Sequence, residues 1–185
     1  MMVGENRIHN YHIDDALEQI NQSEHGAHHL IVYPNQRVLR ELYRKYVKTQ
    51  LEQENKTVLI LPHYETTDSL KKILFTSDKD MKRNEDTVIV MDSIKGHFGA
   101  GDHMAYVNEL VNSAENGVLV IADSGAFFHL NKKDKLVEHE LSMPSHFVNL
   151  KRFCVFHKQD FNVLAEEQKQ KLVDHHGQVF IVEDK

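Results

Sequence analysis

The stretch FCVFHKQDFNVLAEEQKQKLVDHHGQVFIV, residues 153–182, decides the fold. An apolar run stops at His157, and a polar helix is predicted for residues 161–174. A second apolar run, residues 178–182, follows almost at once. Because two strands joined by a helix pack most simply as a parallel pair with a right-handed crossover, this stretch predicts an α/β sheet.

The same alternation of apolar runs and amphipathic helices continues through the rest of the chain. Each run is nearly continuous, which is typical of strands buried on both faces of a parallel sheet. The predicted fold is therefore three-layer α/β, with a mostly parallel sheet and helices on both faces. About six strands are predicted, at residues 30–33, 58–61, 87–91, 117–122, 153–156 and 178–182.

The remaining segments carry weaker patterns. Residues 1–23 are assigned to a polar N-terminal segment, frayed up to residue 12 and followed by a short helix, and residues 24–185 to a single α/β domain. A charged stretch, residues 77–86, is interpreted as a solvated loop. Residues 124–149 fit either one interrupted helix or two short ones.

Composition limits the classes of function. The chain has 185 residues, 41% of them hydrophobic and 27% charged, which suits one globular domain. A net charge of −6 gives no long-range attraction to nucleic acid or to an anionic membrane. No apolar run approaches the length of a membrane span, and the N-terminus lacks a signal-peptide core. A cytoplasmic location is therefore expected.

Cysteine and histidine patterns do not predict a metal site. The single cysteine, Cys154, lies inside an apolar run and is interpreted as a small buried hydrophobic residue rather than a nucleophile. The pairs His28-His29 and His175-His176 are each adjacent in sequence. Neighbours on a strand point to opposite faces and neighbours on a helix diverge by about 100°, so neither pair chelates one ion without ligands from elsewhere.

Polar residues follow the predicted strands at the edge where α/β proteins bind ligands. Because a polar residue begins most loops, a set of polar residues at the strand ends also arises in proteins that bind nothing there. This explanation is favoured over a metal site at these residues. We predict that these side chains orient a small ligand: Tyr33, His63, Asp92, Asp123 and His157. In an alternative, the same strand ends belong to a metal-dependent hydrolase, with Asp92 and Asp123 as metal ligands and His63 or His157 as base, or to a degenerate nucleotide-binding protein.

The first predicted strand end lacks the features of a phosphate-binding loop. That turn reads Tyr33-Pro34-Asn35-Gln36-Arg37, without glycine or lysine and with a proline that removes an amide donor. ATP hydrolysis is therefore not expected. A glycine-bearing turn after the third predicted strand is kept as a candidate mobile lid beside the ligand, with Gly96, Gly99 and Gly101.

The C-terminal stretch resembles the MEDS domain, the methanogen/methylotroph DcmR sensory domain. The similarity lies in a strand closing on His157 and in the pattern Leu-x-Glu-Glu-Gln-Lys-x-x-Leu-x-x-His-His of residues 164–176, and more weakly in residues 28–33. It covers residues 24–184, with a diverged middle. The resemblance implies a RecA/KaiC-like fold without the Walker A motif, in regulators that respond to small organic compounds such as halogenated hydrocarbons.

The resulting prediction is a non-catalytic sensory domain that binds a small organic ligand at the strand ends and needs no cofactor. The chain has no recognisable helix-turn-helix extension, so signalling or transcriptional regulation is expected through a regulatory protein partner, without direct contact to nucleic acid or membrane. An oligomeric scaffold, including a homo-oligomer built through the apolar helices, is the third alternative.

Overall fold

Seven strands form one all-parallel sheet in the order β1-β7-β2-β6-β5-β3-β4. The computed structural model describes residues 8–24, 26–53, 56–99, 103–144 and 146–184. The strands are β1 (Ile8–His12), β2 (His28–Tyr33), β3 (Thr57–Leu61), β4 (Val88–Val90), β5 (Val118–Asp123), β6 (Leu150–His157) and β7 (Val179–Glu183).

Helices cover both faces of this sheet. They are α1 (Ile13–Asn21), α2 (Gln36–Leu42), α3 (Lys48–Glu52), α4 (Thr67–Leu74), α5 (Asp78–Arg83), α6 (Ser93–Phe98), α7 (His103–Ser113), α8 (Gly125–His129), α9 (Lys133–Ser142), α10 (Lys158–Val163) and α11 (Glu166–His175). A π-helical segment, Tyr43–Val47, joins α2 to α3. No helix within the described ranges has the length and apolarity needed to cross a membrane.

Alternate strand residues face two separate apolar cores. Ile31 and Phe153 point toward α1, α2 and α4, whereas Leu30 and Cys154 point toward α7, α9 and α11. All six residues of β2 and of β5 are buried, as expected for parallel strands covered on both faces. The protein is thus a three-layer α/β fold, consistent with the predicted RecA-like class.

All six predicted strands are present, and a seventh, β1, lies in the segment predicted to be frayed. That expectation is wrong for residues 8–12, because β1 pairs in parallel with β7. Its polar sequence, IHNYH, is explained by its place at the edge of the sheet, where burial alternates along the strand. Residues 1–7 lie outside the described part of the chain.

The C-terminal stretch contains a different arrangement from the predicted one. β6 and β7 are parallel, but β2 lies between them, so they do not form a neighbouring pair. The single predicted helix is two helices, α10 and α11, separated at Leu164 and Ala165. Leu164 is turned into the core, and the Gln168 side chain accepts a hydrogen bond from the Ala165 N–H at 2.9 Å, which starts the second helix.

Two segments predicted as loops contain helices. Ser77 accepts a hydrogen bond from the Asp80 N–H at 3.1 Å and caps α5, so residues 78–83 are not a solvated loop. Gly96 lies inside α6 rather than in a turn. A Cβ at Gly96 would lie 2.5 Å from Leu61 Cδ2, so this glycine permits close packing of α6 on β3. Gly101 of the candidate lid lies outside the described residues.

Helical predictions elsewhere agree with the structure. The Asn35 side chain accepts a hydrogen bond from the Val38 N–H at 3.0 Å and caps the long helical segment that follows. The ambiguous residues 124–149 contain two short helices, α8 and α9, joined near Asn131, which has a positive φ of 57°.

Candidate functional site

The five predicted site residues meet at the carboxyl edge of the sheet. Tyr33, Asp123 and His157 are the last residues of β2, β5 and β6, three neighbouring central strands. His63 and Asp92 each follow the end of a strand by two residues, after β3 and β4. We call this group the strand-end rim.

Tyr33 and Asp123 form the buried floor of the strand-end rim. The Tyr33 hydroxyl donates to Asp123 Oδ2 at 2.6 Å, and the Gly125 N–H donates to Oδ1 at 2.8 Å; both side chains belong to residues with 0% exposure. Burial raises the pKa of Asp123 to about 7, although both hydrogen bonds act in the opposite direction. Burial, followed by the charge of Asp123, raises the pKa of Tyr33.

His63 and His157 lie above this floor and are half-buried. The Tyr33 ring contacts the His157 ring at 5.3 Å between centroids, and the ring of Tyr64 lies against both histidines, 4.8 Å from His63 and 5.5 Å from His157. The Tyr64 hydroxyl donates to Asp160 Oδ2 at 2.5 Å. The upper part of the strand-end rim is therefore aromatic, with carboxylates at its margin.

Ser93 orients the His63 ring, with 2.9 Å between Ser93 Oγ and His63 Nδ1. This distance is one at which a histidine base contacts a serine nucleophile, and the Ser93 side chain is 0% exposed to solvent in this structure. Asp92 is exposed and caps α6 by accepting from the Lys95 N–H at 3.1 Å. Burial and then the charge of His129 lower the pKa of His63, against opposing effects of Asp160 and Asp92.

The sequence did not identify four further residues of this edge: Tyr64, Ser93, His129 and Asp160. Tyr64 and Ser93 directly follow the predicted residues His63 and Asp92, so their positions in the sequence could have identified them. His129 and Asp160 lie in the helices after β5 and β6, and only the packing of those helices brings them to His63 and Tyr64.

Gly125→Ala is expected to displace the His63 ring. An alanine Cβ would lie within 2.8 Å of His63 Cγ and 3.0 Å of Tyr64 Cε2, so the imidazole must move from its present position, in which it bonds Ser93. We expect the free energy of unfolding to fall by about 1–3 kcal/mol. The pKa of His63, followed by NMR, should rise toward 6.5 as the ring becomes more hydrated. An unchanged His63 titration would show that the ring is not held by this contact.

Two groups of converging metal-ligand atoms occur among the described residues, and neither belongs to the strand-end rim. They are His28, Glu140, Cys154 and His176, and, separately, His97, His103 and His139. Asp92 and Asp123 are instead engaged as a helix cap and as the acceptor of Tyr33. The alternative of a metal-dependent hydrolase at the rim therefore gains no converging ligand set from the described residues.

The first group, which we call the His-Cys-Glu cluster, lies on the α9 and α11 face of the sheet. His28 begins β2, Cys154 lies in β6, Glu140 lies in α9 and His176 follows α11. One histidine of each adjacent pair takes part: His29 faces the opposite core and contacts Phe153 and Phe180. The predicted burial of Cys154 is confirmed at 0% exposure, but its thiol has polar neighbours.

The three-histidine group lies close to a buried cation. Arg152 Nη1 is 2.9 Å from His103 Nε2, and Arg152 is 0% exposed. Burial and the charge of Arg152 lower the pKa of His97 to about 3 and that of His103 to about 2. Because a fixed guanidinium repels a second cation at this distance, this group is a poor metal site.

Comparison with known proteins does not assign this chain to a family. No protein-family model matches the chain, and no curated protein matches it. The similarity to the MEDS domain, carried by residues 28–33 and 153–182, therefore stays a prediction.

Proposed function

We propose that this protein is a non-catalytic sensory domain that binds a small organic molecule at the strand-end rim. The observation that supports the proposal most directly is the convergence of His63, His157 and Tyr64 above the buried Tyr33–Asp123 pair. Aromatic surfaces with a few polar groups suit a ligand with an apolar body and one polar substituent. Perturbed pKa values also concentrate at functional sites, and Asp123 and His63 are both shifted.

The same proposal includes signalling through a regulatory protein partner. The strand-end rim is bordered by exposed apolar side chains, because Tyr64 is 43% exposed, and Leu130 after α8 is 37% exposed. A ligand that contacts Tyr64 would change the surface offered to a partner. The Ser93 hydroxyl lies next to the His63 imidazole of the strand-end rim. Because Ser93 is buried, this pair favours a ligand-binding function of the rim over a catalytic one.

Titration with dichloromethane and with ethanol, followed by NMR of the histidine and tyrosine rings, tests this function. We expect shifts at His63, Tyr64 and His157, and an affinity roughly tenfold weaker, or about 1.4 kcal/mol, in His63→Ala and Asp92→Ala. His146→Ala is the matched control, because His146 is exposed and lines a cleft with His28 near the opposite edge of the sheet. Equal affinity in all three variants would reject the strand-end rim as the binding site.

A further inference from the structure

We propose that the His-Cys-Glu cluster binds a zinc ion through His28 Nε2, His176 Nε2, Cys154 Sγ and Glu140 Oε2. The cluster lies apart from the strand-end rim, so this inference is independent of the sensory function. All four residues are buried, and their four donor atoms lie within 4.8 Å of one another.

Four of the six donor–donor distances, between 3.1 and 3.8 Å, are near those of a tetrahedron around one ion, and all six are within 4.8 Å. Cys154 Sγ lies 3.1 Å from Glu140 Oε2 and 3.3 Å from His28 Nε2, and Glu140 Oε2 lies 3.3 Å from His176 Nε2 and 3.8 Å from His28 Nε2. Zinc bonds of about 2.0 Å to nitrogen or oxygen and about 2.3 Å to sulfur separate tetrahedral donors by roughly 3.3–3.7 Å.

Backbone carbonyls orient both imidazoles for metal binding. His28 Nδ1 lies 2.9 Å from the Pro144 carbonyl oxygen, and His176 Nδ1 lies 2.6 Å from the Leu172 carbonyl oxygen. Because a carbonyl only accepts hydrogen bonds, each Nδ1 carries the proton. In the neutral ring, the Nε2 lone pair then points into the cluster. This is the arrangement by which proteins fix the tautomer of metal-ligating histidines.

Without a metal ion, the cluster holds too few protons for its acceptors. The Cys154 thiol donates to Glu140 at 3.1 Å, and the buried His176 Nε2 lies 3.3 Å from the same carboxylate. A lone pair facing a buried carboxylate is unfavourable. The competing arrangement is a protonated His176 paired with Glu140, and it leaves the thiol protonated.

The cluster offers two anionic ligands to a divalent ion, which the three-histidine group does not. Zinc with one thiolate and one carboxylate is neutral, and the buried Arg152 guanidinium, whose charge acts on both Glu140 and Cys154, remains beside it. Burial, followed by the charge of His176, lowers the pKa of His28 to about 3 against the opposing charge of Glu140, and this keeps the imidazole in the neutral, metal-binding form. Burial raises the pKa of Cys154, and Arg152 opposes this rise by stabilising the thiolate.

The donor set selects zinc and a structural role. Thiolate and imidazole ligands disfavour magnesium and calcium, which prefer oxygen, and four protein donors in tetrahedral geometry are typical of structural zinc. With four protein ligands, the ion keeps no position for water, so the site is not catalytic. The ion would join β2, β6, α9 and α11, the elements that carry the four ligands.

Metal content of the purified, full chain tests the proposal. We expect about one zinc ion per chain, and chelation should lower the melting temperature by roughly 10 °C. His176→Ala should lose the zinc. The matched control is His175→Gln, because His175 is adjacent but bonds the Met143 carbonyl, a contact that glutamine can retain. Equal zinc loss in both variants, or zinc retained in His176→Ala, would contradict the assignment.

Cobalt titration of the chelated wild-type protein needs no variant to fold. We expect intense visible bands from tetrahedral cobalt and an ultraviolet thiolate-to-cobalt charge-transfer band, and only the latter should disappear in Cys154→Ser. A wild-type protein that is folded by circular dichroism, contains no zinc and shows neither band would overturn the proposal in favour of the His176–Glu140 ion pair.

Discussion

The free energy of unfolding is expected to fall by about 3 kcal/mol between pH 4 and pH 7 through Asp123 alone. Burial raises the pKa of this carboxyl from 3.8 to about 7 in the folded protein. The folded state therefore binds a proton that the unfolded chain releases in this range. The contribution is fully present below pH 3.8 and is lost as the pH rises through about 7.

Asp123→Asn isolates this effect from other titrating groups. The asparagine amide keeps an oxygen acceptor for one of the two hydrogen bonds, from Tyr33 or from Gly125, but it does not ionise. Urea unfolding at several pH values should show a wild-type free energy that falls relative to the variant from pH 4 to about pH 8 and runs parallel above it. A constant difference across this range would show that Asp123 is ionised in the fold at acidic pH.

Arg152→Met is expected to lower the free energy of unfolding by about 3–5 kcal/mol. Arg152 is 0% exposed, and Glu140 is 2% exposed. Burial raises the pKa of Glu140, and the hydrogen bond and charge of His176, followed by the charge of Arg152, lower it below its usual range. Removing the guanidinium leaves this buried carboxylate without its permanently charged partner. The measurement is urea unfolding with a chelator present, so that a bound metal does not contribute.

The double variant Arg152→Met, Glu140→Leu distinguishes lost charge from lost packing. If Arg152 acts as the counter-charge of Glu140, the double variant should be more stable than Arg152→Met, because an apolar pair replaces the isolated carboxylate. Arg83→Met, at an exposed position in α5, should change stability by less than about 0.5 kcal/mol. Additive losses in the double variant would mean that the two charges are not coupled.

Sequence patterns were sufficient for the central strands because these strands are buried on both faces. Residues 30–33 and 117–122 are nearly continuous apolar runs, and no other element accommodates them. β1 has no such signal, since one of its sides is solvated and its sequence reads as polar. The place of β2 between β6 and β7 is a long-range pairing, which no local pattern encodes.

The strand-end rim was predictable because parallel strands deliver their following residues to one edge. The His-Cys-Glu cluster was not, since its residues come from two strands and two helices. His28 and Cys154 share a face by strand alternation, but the position of Glu140 depends on how α9 packs beside α11. The sequence showed that neither pair of adjacent histidines holds a metal ion without ligands from elsewhere. The packing of the helices on the sheet places the candidate ligands Glu140 and Cys154 beside His28 and His176.

The parallel pairing of β1 with β7 affects how the chain folds. Ile8 pairs with Val179 and His12 with Glu183, so this ladder closes a loop of about 170 residues, and β2 pairs with β6 and β7 across similarly long separations. Contacts of this kind slow folding, because loop-closure entropy is lost before the contacts form. During synthesis, β1 and one side of β2 therefore stay unpaired until β7 emerges, and unpaired strand edges of this kind promote aggregation of a nascent chain.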